Sequence, residues 1–241
     1  MPSARGAVAL VLLAGAAVPA AAQRAGDRQP LRWEAAGLAA AGVIALFAID
    51  DPVRSALQAN RSSGLDAIAG AARRFGEWPV YAGLPAALIG SGLLAGDRGL
   101  TTAGLEAAKA ALATMVAVIV VKRGLGRERP LCECGPVAFD PMGAGRSLPS
   151  GHTAVAFAVA TSLADQSRSR WAKAGLYAGA SLVGWSRLND NRHWLSDVVA
   201  GAIVGTVSAR VAGGRWRLGR ASRPDIHLDP DWTSIGWVLA F

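Results

Sequence analysis

SRLNDNRHWLSDVVAGAIVG, residues 186–205, runs a cluster of polar and charged side chains straight into an apolar stretch. Arg187, Arg192, His193 and Asp197 stand where that stretch begins. On a helix, residues four apart share a face, so His193 and Asp197 can touch. A carboxylate that takes the proton of one ring nitrogen fixes the tautomer and leaves the other nitrogen with a free lone pair. An imidazole held that way is an oriented nucleophile or base. The plainer alternative is a histidine at a helix end beside a chance neighbour, since helical pairs of this kind are common. Gly201 and Gly205, also four apart, offer a face for close packing of another helix.

The rest of the chain says what that helix is. Of 241 residues, 52% are hydrophobic and 17% charged, and the mean hydropathy is +0.30. The length suits one domain, and the composition is that of a helical membrane protein rather than a soluble domain. Lys and Arg total 25 against 17 Asp and Glu, a net charge of +8. That excess fits anionic lipid or a phosphorylated substrate. No nucleic-acid motif is present, so nucleic acid is not an expected partner.

Apolar segments recur at residues 35–49, 79–96, 103–121, 153–164, 174–185 and 198–211. They predict an all-α bundle of about six membrane helices, several near the short limit for a span. Trp33, Trp78, Trp171, Trp185 and Trp194 lie at segment ends, where interfacial aromatics belong. Residues 53–75 mix arginine with apolar side chains and read as one amphipathic helix lying at the interface. Residues 1–22, with Arg5, an apolar run and Ala20-Ala21-Ala22, read as a cleaved signal peptide or an uncleaved anchor. The main domain is expected over 33–213, with a tail of unassigned role at 214–241.

Two further polar stretches lie at segment ends. KRGLGRERP, residues 122–130, follows the third segment. Lys122 and Arg129 are about two helical turns apart and can point the same way if the helix continues. Arginine forks onto phosphate, and lysine adds a mobile point charge. Arg123 and Arg127 read instead as topology determinants or lipid anchors. SLPSGHTAVAF, residues 147–157, opens the fourth segment. Ser150 after Pro149 suits an N-cap, with Gly151 and His152 in the first turn. A helix N-terminus is an anion site, and a glycine lets the anion approach the backbone.

Lys122-x6-Arg129-Pro130, Pro149-Ser150-Gly151-His152 and Ser186-Arg187-x5-His193-x3-Asp197 together resemble the three-part signature of the type 2 phosphatidic acid phosphatase (PAP2) superfamily. That superfamily includes bacterial acid phosphatases and vanadium-dependent haloperoxidases. Every signature position is filled and in order, and the resemblance covers roughly residues 34–213. It implies that His193 attacks phosphorus and forms a phosphohistidine, oriented by Asp197. His152 would protonate the leaving oxygen and then activate water. Lys122, Arg129, Arg187, Ser150 and the Gly151 amide would hold the phosphoryl oxygens, with no metal and no other cofactor.

The expected activity is therefore metal-independent hydrolysis of a membrane-lipid phosphomonoester or diphosphate. Phosphatidate, phosphatidylglycerophosphate, a prenyl diphosphate and a lipid A phosphate stay open as substrates. The alternatives are a vanadate-dependent haloperoxidase and a non-catalytic lipid-binding protein. The resemblance also implies a bacterial cytoplasmic membrane, with the site facing the periplasm or exterior. Arg168, Arg170 and Lys173, and then Arg215, Arg217, Arg220 and Arg223, would mark the cytoplasmic ends. By the same parity Arg24, Arg28 and Arg32 fall inside, which a cleaved leader would contradict. Either the leader is a further span or residues 35–49 do not cross fully. Cys132 and Cys134 are expected to be loop thiols or a minor disulfide, since a metal site needs more ligands than two.

Overall fold

A computed structural model describes residues 29–217 and the backbone of 221–229 and 232–239. The expected leader at 1–22, Arg24 and Arg28 lie outside the described residues. Seven helices follow one another: α1 (Trp33–Ala59), α2 (Ser63–Arg74), α3 (Trp78–Ala95), α4 (Arg98–Leu125), α5 (Gly151–Gln166), α6 (Arg170–Asn189) and α7 (Leu195–Ala212).

Local sequence sets the helix ends. The Asp97 carboxylate accepts from the amides of Gly99 and Leu100 at 2.7 and 3.1 Å and starts α4. Ser62 accepts from the Leu65 amide and starts α2. Gly96 and Gly126, both at positive φ, end α3 and α4 in the left-handed turn that glycine adopts without strain.

All six apolar segments are helical. Four helices, α1, α3, α4 and α7, are long and apolar enough to cross a membrane. They keep large apolar side chains on the outside, such as Leu38, Leu94, Leu112 and Val120, as lipid contact requires. Helix α5, 16 residues long, reaches only about 24 Å. It packs against α4, α6 and α7 and is the most enclosed element, with Ala154, Ala158 and Ala160 buried. The close-packing face expected at Gly201 and Gly205 meets α5. A Cβ on Gly201 would stand 2.6 Å from the Ser150 carbonyl oxygen, and one on Gly205 would run into the Ala154 carbonyl.

Two expectations need correction. Residues 53–75 are not one interfacial helix. Residues 53–59 continue α1, the chain breaks at 60–62, and α2 is a separate amphipathic helix whose Ala69 and Ala72 are buried. Trp33, Trp78 and Trp171 are exposed, but Trp194 is fully buried. Its indole N–H donates to the Glu128 carbonyl at 3.0 Å, so it fastens the first motif to the third rather than anchoring in the interface.

The helices run so that the C-terminal end of α4, the N-terminal end of α5, the C-terminal end of α6 and the N-terminal end of α7 meet at one end of the bundle. Arg168, Arg170 and Lys173 mark the other end, where Arg215 pairs with Asp165 at 3.2 Å. A parallel pair of two-residue strands, β1 (Gln29–Pro30) and β2 (Trp216–Arg217), brings the start of α1 to that same end. In the tail, β3 (Ala221–Asp229) and β4 (Trp232–Leu239) form an antiparallel hairpin.

Candidate active site

His193 lies in the turn between α6 and α7, and Asp197 in the first turn of α7. His193 Nδ1 is 3.5 Å from Asp197 Oδ2. That oxygen also accepts from Ser147 Oγ at 2.5 Å and from the Trp194 amide at 2.9 Å. Ser147 Oγ stands 3.5 Å from Nδ1 as well. The carboxylate thus holds one edge of the ring and leaves Nε2 outside the network. Burial, reinforced by the charges of Lys122 and Arg187 and opposed by Asp197, lowers the His193 pKa to about 4. The imidazole is neutral at pH 7 and its lone pair is available.

The other Asp197 oxygen belongs to Arg127. Arg127 is wholly buried and donates through Nη1 to Asp197 Oδ1 at 2.8 Å and to Ser196 Oγ at 2.6 Å. Its Nη2 pairs with Asp50 Oδ2 at 2.7 Å. Phe47 covers its face, with the ring centroid 4.2 Å from Cζ. Asp50 in turn accepts from the Ser196 amide at 2.9 Å and from its hydroxyl at 2.5 Å.

The lipid-anchor reading of Arg127 is therefore wrong, whereas Arg123 is exposed. The signal that could have found Arg127 is Asp50. An acidic residue at the end of an apolar run calls for a cation across the bundle. Sequence reasoning missed both, and missed Ser147 too.

The signature cations converge beside His193. Lys122 Nζ donates to the carbonyls of Arg146 and Ser147 at 2.5 and 3.1 Å, fixing the loop that leads into α5. Arg187 Nη1 pairs with Asp190 Oδ2 at 2.9 Å. Among the described residues, Nε of Arg129 and Nε of Arg187 are buried with no partner. Two guanidinium groups from different segments, each with an unmet donor, are a site for an absent anion. Crowding shows in both. Burial first, then like charge, from Arg192 at Arg129 and from Arg73 at Arg187, pulls each below the usual arginine range, against the opposing pull of Asp197 at Arg129 and Asp190 at Arg187.

Ser150 stands at the N-cap of α5, but its side chain caps nothing. Its Oγ accepts from Thr153 Oγ1 at 2.9 Å, which leaves its own proton to donate. The Ser150 amide donates to the Asp197 carbonyl at 2.9 Å and ties α5 to the first turn of α7. A Cβ on Gly151 would point at the end of Lys122, 3.9 Å from Cε, into the space between cation and helix start. His152 follows, packed so closely on Gly76 that a Cβ there would stand 3.0 Å from its own Cβ. Burial and then Arg187 lower the His152 pKa to about 4, against the pull of Glu77. Cys132 and Cys134, in the loop between Arg129 and Ser147, are joined as a disulfide.

Comparison with known proteins bears on the fold and the family. Residues 104–215 match the PAP2 superfamily. A 64-residue stretch is 55% identical to the lipid A 1-phosphatase of Porphyromonas gingivalis, a match that spans 26% of this chain and 14% of that protein. The fold resembles the crystal structure of Aquifex aeolicus LpxE, with a TM-score of 0.56 and 24% identity over 68% of this chain and 94% of that one. It also resembles the transmembrane PAP2-type phosphatidylglycerolphosphate phosphatase of Bacillus subtilis, with a TM-score of 0.58 and 20% identity over 73% and 92% of the two chains. The helical bundle that gathers the three motifs at one end and the match over residues 104–215 mark that region of the chain as PAP2-superfamily sequence.

Proposed function

We propose that this protein is a metal-independent phosphatase of a membrane-lipid phosphate, working through a phosphohistidine. The observation that carries the reading is the pair of unpartnered guanidinium Nε groups of Arg129 and Arg187 beside a neutral, carboxylate-held His193. Anion site and nucleophile are thereby combined.

In the first step His193 Nε2 attacks phosphorus, and the bond from phosphorus to the leaving oxygen breaks. His152 supplies the proton that oxygen takes. His152 is neutral in the empty site, and an incoming phosphate dianion raises its pKa toward the protonated form. In the second step His152 takes a proton from water, whose oxygen displaces His193 and releases inorganic phosphate. Lys122, Arg129, Arg187, Ser150 Oγ and the Gly151 amide neutralise charge on the equatorial oxygens throughout. Arg127 and Asp50 touch no reacting atom and act as positioning residues for Asp197.

A lipid substrate is supported by an apolar cavity of about 970 Å³ among α1, α4, α5 and α7, whose lining includes Phe47, Leu148, Pro149 and Ile203. Leu148 and Pro149 lead directly into the Ser150–His152 turn. The lipid A 1-phosphatase relative supports the same class. We place the protein in the bacterial cytoplasmic membrane with the site on the outer face. Arg168, Arg170 and Lys173 at the opposite end and the Cys132–Cys134 disulfide in the site loop both favour that orientation.

The test is phosphate release from purified protein in detergent across phosphatidate, phosphatidylglycerophosphate, prenyl diphosphate and lipid A phosphate. Folded His193→Ala should lose roughly 10³-fold or more of the activity. Retention of a tenth of it would refute the nucleophile.

A further inference from the structure

Beyond the catalytic cradle lies a second cationic space. A cavity of about 470 Å³ is walled by Arg61, Arg73, Arg187, Asp190 and Arg192. Four positive charges face one negative charge. Arg73 and Arg187 both bond Asp190 Oδ2, at 3.0 and 2.9 Å, so that carboxylate is already shared. Arg61 pairs with Asp66 outside the cavity wall. Among the described residues the Arg192 side chain has no ion-pair or hydrogen-bond partner, and its charge bears on both Arg129 and Arg187. Arg73 also meets Glu77 at 3.5 Å, so the excess positive charge lies with the exposed Arg192, and an anion entering the space would meet it.

Position gives the space its meaning. Arg187 borders both compartments: its Nε is buried without a partner, and its Nη1 points to Asp190. The α2–α3 corner that carries Arg73 and Glu77 packs on His152 through Gly76. On the phosphatase reading, on which this inference rests, His152 marks the side from which the leaving oxygen departs. The arginine cavity is therefore where a charged group joined directly to that oxygen sits, with the lipid chain beyond it in the apolar cavity. A neutral diglyceride would leave the cavity's charges unmet, whereas an anionic leaving group would meet them.

We infer that the preferred substrate carries a second anionic group close to the scissile phosphate, on the leaving-group side, held by Arg61, Arg73 and Arg192. A diphosphate or a phosphate beside a phosphodiester satisfies this, and phosphatidate does not.

Dodecyl diphosphate and dodecyl phosphate share a chain and differ only in the second anion, which makes them the probes. With wild-type protein and with an Arg61→Gln/Arg192→Gln variant, the double change should lower kcat/KM for the diphosphate about tenfold or more, chiefly through KM. The monophosphate should change less than about twofold, because neither residue belongs to the cradle. Equal losses on both lipids, or none on either, would overturn the inference while leaving the phosphatase reading intact. Equilibrium binding of both lipids to His193→Ala protein asks the same question without turnover. A preference for the diphosphate that vanishes in the arginine variant supports the site even if no phosphate is ever released, in which case the phosphatase reading falls instead. Inorganic phosphate is the third probe. If it competes with both lipids alike and loses that effect in the arginine variant, the cavity holds free product phosphate and the inference fails.

Discussion

Arg127 and Arg123 sit four residues apart in one basic run, yet one is wholly buried and the other exposed. Their substitutions should differ accordingly. Arg127→Met removes the cation that bridges Asp50 and Asp197 and leaves two carboxylates buried together, at a cost of about 3–5 kcal/mol. Arg127→Lys keeps the charge without the fork and should recover part of the stability but not the alignment of Asp197. Arg123→Ala should stay within about 0.5 kcal/mol. Thermal unfolding in detergent measures all three, and indistinguishable midpoints for the Arg127 and Arg123 variants would discount the buried network. His193 supplies a pH test. Its folded pKa, about 4, lies below the ordinary histidine value of 6.5, so burying the neutral ring contributes stability above pH 6.5. That contribution declines as pH falls from 6.5 toward 4 and then levels off. His152 acts in the same direction. The unfolding midpoint should therefore drop between pH 7 and 4.5, by less in His193→Gln than in wild type. The ¹⁵N shifts of the His193 ring should remain those of neutral imidazole at pH 6, and a midpoint near 6.5 would contradict the buried geometry.

Between elements, the deciding contact is the crossing of α5 and α7. Ser150 and Asp197 join through their main chains, so His193, Asp197 and the Ser150–Gly151 helix start keep one geometry only while these helices stay close. Gly201 and Gly205 permit that closeness. Gly205→Ala should cost about 1–3 kcal/mol through overpacking and should lower activity because α5 is pushed from α7. Gly175→Ala on α6, where an added Cβ meets nothing within 4 Å, is the control and should be neutral or slightly stabilising. Equal thermal shifts for the two would mean that the crossing tolerates more space than its contacts allow. The same scale explains the error over residues 53–75. Arginine mixed with apolar residues does suit an interface, but Pro52 within α1 does not end that helix, and the break falls eight residues later at Asn60.

At the scale of the whole molecule, the connections that carry the three motifs fall at one end and the basic connections at the other. On the proposed mechanism the cradle there brings its own positive charge and would suit five-coordinate phosphorus, a geometry vanadate adopts. Vanadate should inhibit phosphate release, Arg187→Ala should weaken that inhibition, and full activity should persist in excess EDTA. Activity that disappears with EDTA and returns with Mg²⁺, in protein shown to remain folded, would overturn the metal-free mechanism. What the sequence determined by itself was local and additive. Apolar segments of helical length specify a bundle, because a backbone in lipid must bond within its own segment. The three motifs sit at segment ends, and short-range spacing pairs His193 with Asp197. What only the tertiary structure decided depends on partners far apart in the chain. Asp50 and Arg127 are 77 residues apart, and neither shows in sequence that the other neutralises it. Arg61, Arg73 and Arg192 come from the α1–α2 turn, α2 and the α6–α7 turn, and form one cavity only when those elements meet. A buried ion pair and a charged cavity are properties of exclusion from water, and exclusion is set by how the helices pack rather than by what any one of them contains.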